Sequence, residues 1–93
     1  MNLGLPDVAG AMLCVSQFTL YASVRRGRRP SFETAAPAEA ARPIYEAFCE
    51  AVEALGVPCQ RGRFGEHMIV SLLNDGPVTL IVDSADLDAP RRT

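Results

Sequence analysis

Apolar and polar positions along this chain fall into patterned stretches separated by glycine and proline. AMLCVSQFTL, residues 11–20, opens as an apolar run and turns polar at Ser16, the pattern of a buried strand leading into a wetter segment. Further on the period becomes helical: Ile44, Phe48, Val52 and Leu55 recur at spacings of four, four and three and predict one apolar face. Pro37 marks the start of that helix and Gly56 its stop. Pro43 lies inside the pattern without the N–H that would bond back to Glu39, which predicts a kink in the first turns or a later start of the regular helix. Residues 57–61 predict a short strand that Pro58 confines to a sheet edge, and 62–66 a loop in which Gly62 and Gly65 flank Arg63 and Phe64. Two further apolar runs, MIVSLL at 68–73 and VTLIV at 78–82, predict two more strands.

Strand, helix, strand, strand, strand is the order of an α+β fold, with one main helix packed on a mixed or antiparallel sheet. Residues 1–10, with Gly4, Pro6 and Gly10, predict an irregular lead-in. The organisation expected is a single domain over 1–84, followed by a polar, frayed tail at 85–93.

The link between the last two strands, Asn74-Asp75-Gly76-Pro77, carries two readings. Asp-Gly signals a tight primed hairpin turn. Pro77, however, has no N–H to give to the returning ladder, so the same four residues also read as a rigid backbone device built on a cis peptide. Spacing leaves both open.

Composition narrows the class. With 93 residues the chain is one small domain, and no apolar run approaches the ~20 residues of a membrane span. No signal-peptide pattern is visible, which gives a cytosolic reading. Cys14, Cys49 and Cys59 are odd in number and form no C-x-x-C pair, so buried reduced thiols are expected, with no disulfide framework and no metal site. The single histidine, His67, leaves any hydroxyl or thiol nucleophile with one possible base.

Net charge is −2, unevenly spread. Residues 21–43 hold five arginines against two glutamates, whereas 44–60 hold three glutamates and no basic residue. Arg25, Arg26, Arg28 and Arg29 place four cations in five residues, either a solvated loop or a set of planar forks for phosphate oxygens. Ser16, Gln17 and Phe18 read as a polar strand end or, alternatively, as backbone donors for a carbonyl oxygen. Thr79 is a candidate nucleophile that lacks an evident base other than His67. Phe64 and Met68 read singly as core, and together as two faces that would sandwich a base.

Three of these segments belong together. SQFTLYA at 16–22, RRGRRPSF at 25–32 and NDGPVT at 74–79 resemble, in order and spacing, the D-aminoacyl-tRNA deacylases, and GRFGEHMIVSLLNDGPVTLIVDS at 62–84 is similar to that family almost continuously. The resemblance implies a homodimer in which the cis Gly-Pro of one subunit enters the active site of the other. On that pattern the carbonyls of Gly76 and Pro77 form a chirality filter that occupies the space of an L side chain, and the same site admits glycine. It implies hydrolysis of the ester of D-aminoacyl-tRNA or glycyl-tRNA by water, assisted by the terminal ribose 2′-hydroxyl, with no cofactor. Ser16, Gln17, Phe18 and Thr79 would form the catalytic set, Arg25, Arg26, Arg28 and Arg29 would hold tRNA, and Phe64 and Met68 would line the adenosine site. Family members also carry a strand-rich segment upstream of the position of Met1, so open sheet edges and uncovered apolar surface are expected here. Two alternatives stand beside this reading: a related editing domain that clears L-serine from tRNA, and a catalytically inactive RNA-binding or dimerisation module.

Overall fold

A computed structural model describes residues 3–20, 22–25, 27–31 and 35–88. Its principal element is helix α1 (Ala38–Ala54), which begins directly after Pro37. The Pro37 carbonyl accepts the N–H groups of Ala40 at 3.0 Å and Ala41 at 2.9 Å, satisfying donors that a helix start otherwise leaves unpaired. The helix runs unbroken through Pro43, so its start is not delayed by the proline.

Gly56 ends it as the sequence predicts. At φ +84° Gly56 occupies the left-handed region, its N–H donates to the Glu53 carbonyl at 2.9 Å, and the Val57 N–H donates to the Val52 carbonyl at 3.4 Å. This pair of reversed bonds is a Schellman motif, and the buried Val57 behind it supplies the apolar contact that goes with one.

Strand β1 (Met12–Cys14) precedes the helix and strand β2 (Cys59–Arg61) follows it, and the two pair in parallel, Met12 opposite Cys59 and Cys14 opposite Arg61. Two flanking bonds extend the ladder, from the Met12 N–H to the Pro58 carbonyl and from the Gly62 N–H to the Cys14 carbonyl, each at 2.9 Å. The expectation of a mixed or antiparallel sheet is thus corrected within a fold that remains α+β. A helical crossover carries the chain back to the end where β1 began, and a strand entered from that end runs parallel to the first.

The runs at 68–73 and 78–82 are also corrected: they are not strands, and no ladder joins them to each other or to any other described residue. Their apolar side chains stand in the open, Ile69 at 88% exposure and Ile81 at 92%. Composition and alternation record a tendency to pair, whereas a strand exists only where a second backbone supplies the rest of the ladder. Single 3-10 turns at Leu5–Val8 and Ser84–Asp88 lie near the two ends, the first held by the Gly4 N–H donating to the Asp7 carboxylate at 2.8 Å.

Cys14, Cys49, Val52, Val57 and Phe64 make up the buried apolar set. On α1 the stripe turned inward is therefore Ala41, Tyr45, Cys49 and Val52, about one residue round from the predicted face. Only Val52 belongs to both, and Ile44 and Phe48 remain 68% and 55% exposed. Two three-residue strands are too narrow to cover a whole helical face. They cover the cysteine side, and Ile44 and Phe48 become one wall of an open groove.

Candidate functional site

After Cys14 the chain leaves the ladder, and Ser16, Gln17 and Phe18 run on without strand partners. Among the described residues their backbone N–H groups donate no hydrogen bond, and the buried Ser16 hydroxyl has no partner. A cavity of about 210 Å³ opens beside them, walled on the opposite side by Gly65, Glu66, His67, Met68 and Val70. Unpaired backbone donors on residues that border a cavity are groups that can hold an oxygen gaining charge during acyl transfer.

Gly62 helps to set that opposite wall. A Cβ at this position would stand 2.8 Å from the Met68 sulfur, so the methionine occupies its place only because residue 62 has no side chain.

A larger groove, about 450 Å³, shares Val15, Ser16, Gln17 and Phe18 with the cavity and continues along Ile44, Tyr45, Phe48 and Phe64. Phe64 is its buried hub. Its ring centroid lies 5.8 Å from that of Phe18 and 5.9 Å from that of Tyr45, and the Arg42 guanidinium sits 4.9 Å from the centre of the ring. Arg42 and Tyr45 went unrecognised in the sequence, where they fall outside the apolar helical period; the stripe at 41, 45, 49 and 52 was the available signal.

Ser16, Gln17, Phe18, Phe64 and Met68 are therefore brought together around two adjoining hollows, and His67 joins them. Gly76, Pro77 and Thr79 are not: they line neither hollow and lie exposed, with a cis peptide between Gly76 and Pro77. No hydrogen bond links Thr79 to His67. Arg25, Arg28 and Arg29 project from an exposed loop closed by paired backbone bonds of 2.7 Å between Ser23 and Ser31, with Gly27 at φ +68° taking the bend. Arg26 lies outside the described residues.

Beneath the Ser16 edge the three cysteines meet, their sulfurs all within 4.8 Å of one another. Burial, and then the neighbouring Cys59 and Cys49 thiols, push the Cys14 thiol up to about 12. Burial also raises the phenol of Tyr45, whose hydroxyl donates to the Cys14 carbonyl at 2.8 Å. On the outer side Arg61 pairs with Glu53, tying β2 to the last turn of α1.

A family model described as D-Tyr-tRNA(Tyr) deacylase matches residues 1–83. Among curated proteins the chain is similar to the D-aminoacyl-tRNA deacylase of Thermomicrobium roseum, 61% identical over 87 residues that cover 94% of this chain and 56% of the relative. The protein of the same name from Kocuria rhizophila is 57% identical over 86 residues, 92% of this chain and 57% of the relative. The one from Chloroflexus aurantiacus is 58% identical over 91 residues, 98% of this chain and 57% of the relative. The chain thus spans somewhat over half the length of these relatives. Among the described residues no helix is long and apolar enough to cross a membrane.

Proposed function

The chain belongs to the D-Tyr-tRNA(Tyr) deacylase family, and on that premise we propose that it hydrolyses the ester of D-aminoacyl-tRNA, and of glycyl-tRNA, to free amino acid and tRNA. The observation that carries the reading is that Ser16, Gln17 and Phe18, whose backbone N–H groups are unpaired among the described residues, line the cavity. Its N–H groups receive the ester carbonyl oxygen. As water adds to the carbonyl carbon that oxygen becomes an oxyanion, and fixed donors stabilise it more than the ground-state carbonyl.

Water needs to lose a proton during this step, and no hydrogen bond joins Thr79 to His67, the single imidazole of the chain. The 2′-hydroxyl of the terminal ribose, adjacent to the ester, takes over general acid–base assistance. The apolar groove along Phe18, Ile44, Phe48 and Phe64 gives the terminal nucleoside a surface, and Met68 offers a polarizable side chain in the adjoining cavity. Arg25, Arg28 and Arg29 meet tRNA phosphates without reading sequence.

The chirality filter is supplied from a second copy. In support, Gly76 and Pro77 lie exposed outside the cavity lining, and Ile69, Leu73, Ile81 and Val82, close to them in sequence, present apolar surface of the kind a homodimer would bury. The protein works in the cytosol, where charged tRNA is used.

Deacylation of D-tyrosyl-tRNA and L-tyrosyl-tRNA by the full chain tests the reading. Selective release of D-tyrosine is expected. Tight tRNA binding with no release of either amino acid would leave an RNA-binding module in place of an enzyme.

A further inference from the structure

The three thiols of this chain come from three different elements. Cys14 ends β1, Cys59 begins β2, and Cys49 is set into the middle of α1. The parallel register puts Met12 opposite Cys59 and Cys14 opposite Arg61, so Cys14 and Cys59 are diagonal neighbours, with their sulfurs 3.4 Å apart. The helix adds the third sulfur on the same side, from a residue with 0% exposure. All three lie within 4.8 Å of one another, with no histidine or carboxylate in the group among the described residues.

We propose that Cys14, Cys49 and Cys59 form a three-sulfur site for a soft univalent cation, copper(I) in its chemistry. At a metal–sulfur length of about 2.3 Å, the value for zinc thiolates, three sulfurs around a planar trigonal ion stand about 4.0 Å apart. That separation lies between the 3.4 Å of the Cys14 and Cys59 sulfurs and the 4.8 Å that bounds all three, so the sulfurs already stand near trigonal spacing. The ligand count favours copper(I) over zinc, because structural zinc takes four ligands and this cluster offers three. Softness points the same way, since thiolates select copper(I).

Burial of Cys14 and Cys49 keeps water from the ion, and the half-buried Cys59 is the side from which it enters. Each ligating thiol releases its proton to solvent and gives its electron pair to the sulfur–copper bond. Copper stays univalent throughout, so no oxidant or reductant is consumed. The site joins β1, α1 and β2 directly under the Ser16 edge, yet it uses none of the residues assigned to ester hydrolysis and does not depend on that reading.

The test is to titrate the full chain, reduced and without oxygen, with copper(I) held by bicinchoninate. One equivalent should leave the chelator as a thiolate-to-copper charge-transfer band grows, and X-ray absorption at the copper edge should count three sulfurs. Cys59→Ser changes the least buried member and is the variant most secure in its fold. It should lose more affinity than the roughly 10–100-fold that removal of an outer-shell partner costs. Cys49→Ala reads the buried member in the same assay. The proposal is overturned if the chelator keeps its copper, if Cys59→Ser takes up copper as well as the unaltered chain, or if zinc(II) alone is bound.

Discussion

The Tyr45 hydroxyl donates a hydrogen bond to the Cys14 carbonyl at 2.8 Å, joining two residues that lie 31 positions apart in sequence. It pins the second turn of α1 to the last residue of β1, where the ladder stops and the Ser16 edge begins. The same carbonyl also accepts the Gly62 N–H at 2.9 Å, so loss of the phenol would not leave it unpaired. The hydroxyl also reaches the Gly62 carbonyl at 3.5 Å, a long and weak second contact. Tyr45→Phe should therefore cost about 1 kcal/mol, essentially the net value of the Cys14 bond, with no added penalty for a stranded buried acceptor. Urea unfolding of the two proteins measures the difference, and a loss well above this range would mean that the long contact to Gly62 carries as much as the short one to Cys14.

Gly56 tests the helix stop. A Cβ built there meets no atom within 4 Å, so substitution changes backbone conformation and nothing else. At φ +84° Gly56→Ala should destabilise the chain by about 1–2 kcal/mol, the cost of the left-handed region for an L residue. Gly56→Asn should cost less, because asparagine also occurs at this position of the motif. Equal thermal stability of the alanine variant and the original would show that the Schellman turn is not maintained in solution.

The basic loop is tested by salt. If Arg28 and Arg29 each neutralise a tRNA phosphate, replacing both with alanine should weaken binding for every tRNA alike and lower the slope of log affinity against log salt by roughly one to two. Filter binding across a range of salt concentrations gives that slope. If it does not change, these arginines are solvated and do not touch RNA.

The assignment of chemistry to RNA makes a paired prediction. Thr79→Ala and His67→Ala should each keep most of the deacylation rate, because Thr79 stands away from the cavity and His67 only lines it. D-aminoacyl-tRNA ending in 2′-deoxyadenosine should be cleaved more slowly by roughly 10²–10⁴-fold, the usual contribution of general acid–base assistance. The opposite pair of results, an inactive Thr79→Ala and a normal deoxy substrate, would make Thr79 the nucleophile.

Several features were readable because they are local. The span of α1 between Pro37 and Gly56 follows from proline at one end and a left-handed glycine at the other, and both act through the backbone of their immediate neighbours. The family was legible in three short segments because each is a run of neighbouring residues whose order and spacing stand in the sequence itself.

Other features required the folded chain. Ile44, Phe48, Val52 and Leu55 do form a helical period, but together they do not make up the buried side, since the side that is covered depends on where two short strands lie. The runs at 68–73 and 78–82 have strand composition yet no ladder, because pairing depends on a second backbone that composition does not specify.

Sequence alone, then, determined the α+β class, the helix and its two ends, the arginine loop and the family, all expressed through neighbours a few residues apart. Only the tertiary structure decided the parallel register, the cavity between Ser16 and Met68, the enclosure of Phe64 by Arg42 and Tyr45, and the meeting of Cys14, Cys49 and Cys59. Each of these joins residues separated by tens of positions. Their proximity is set by how the crossover helix returns the chain, and no local period encodes that return.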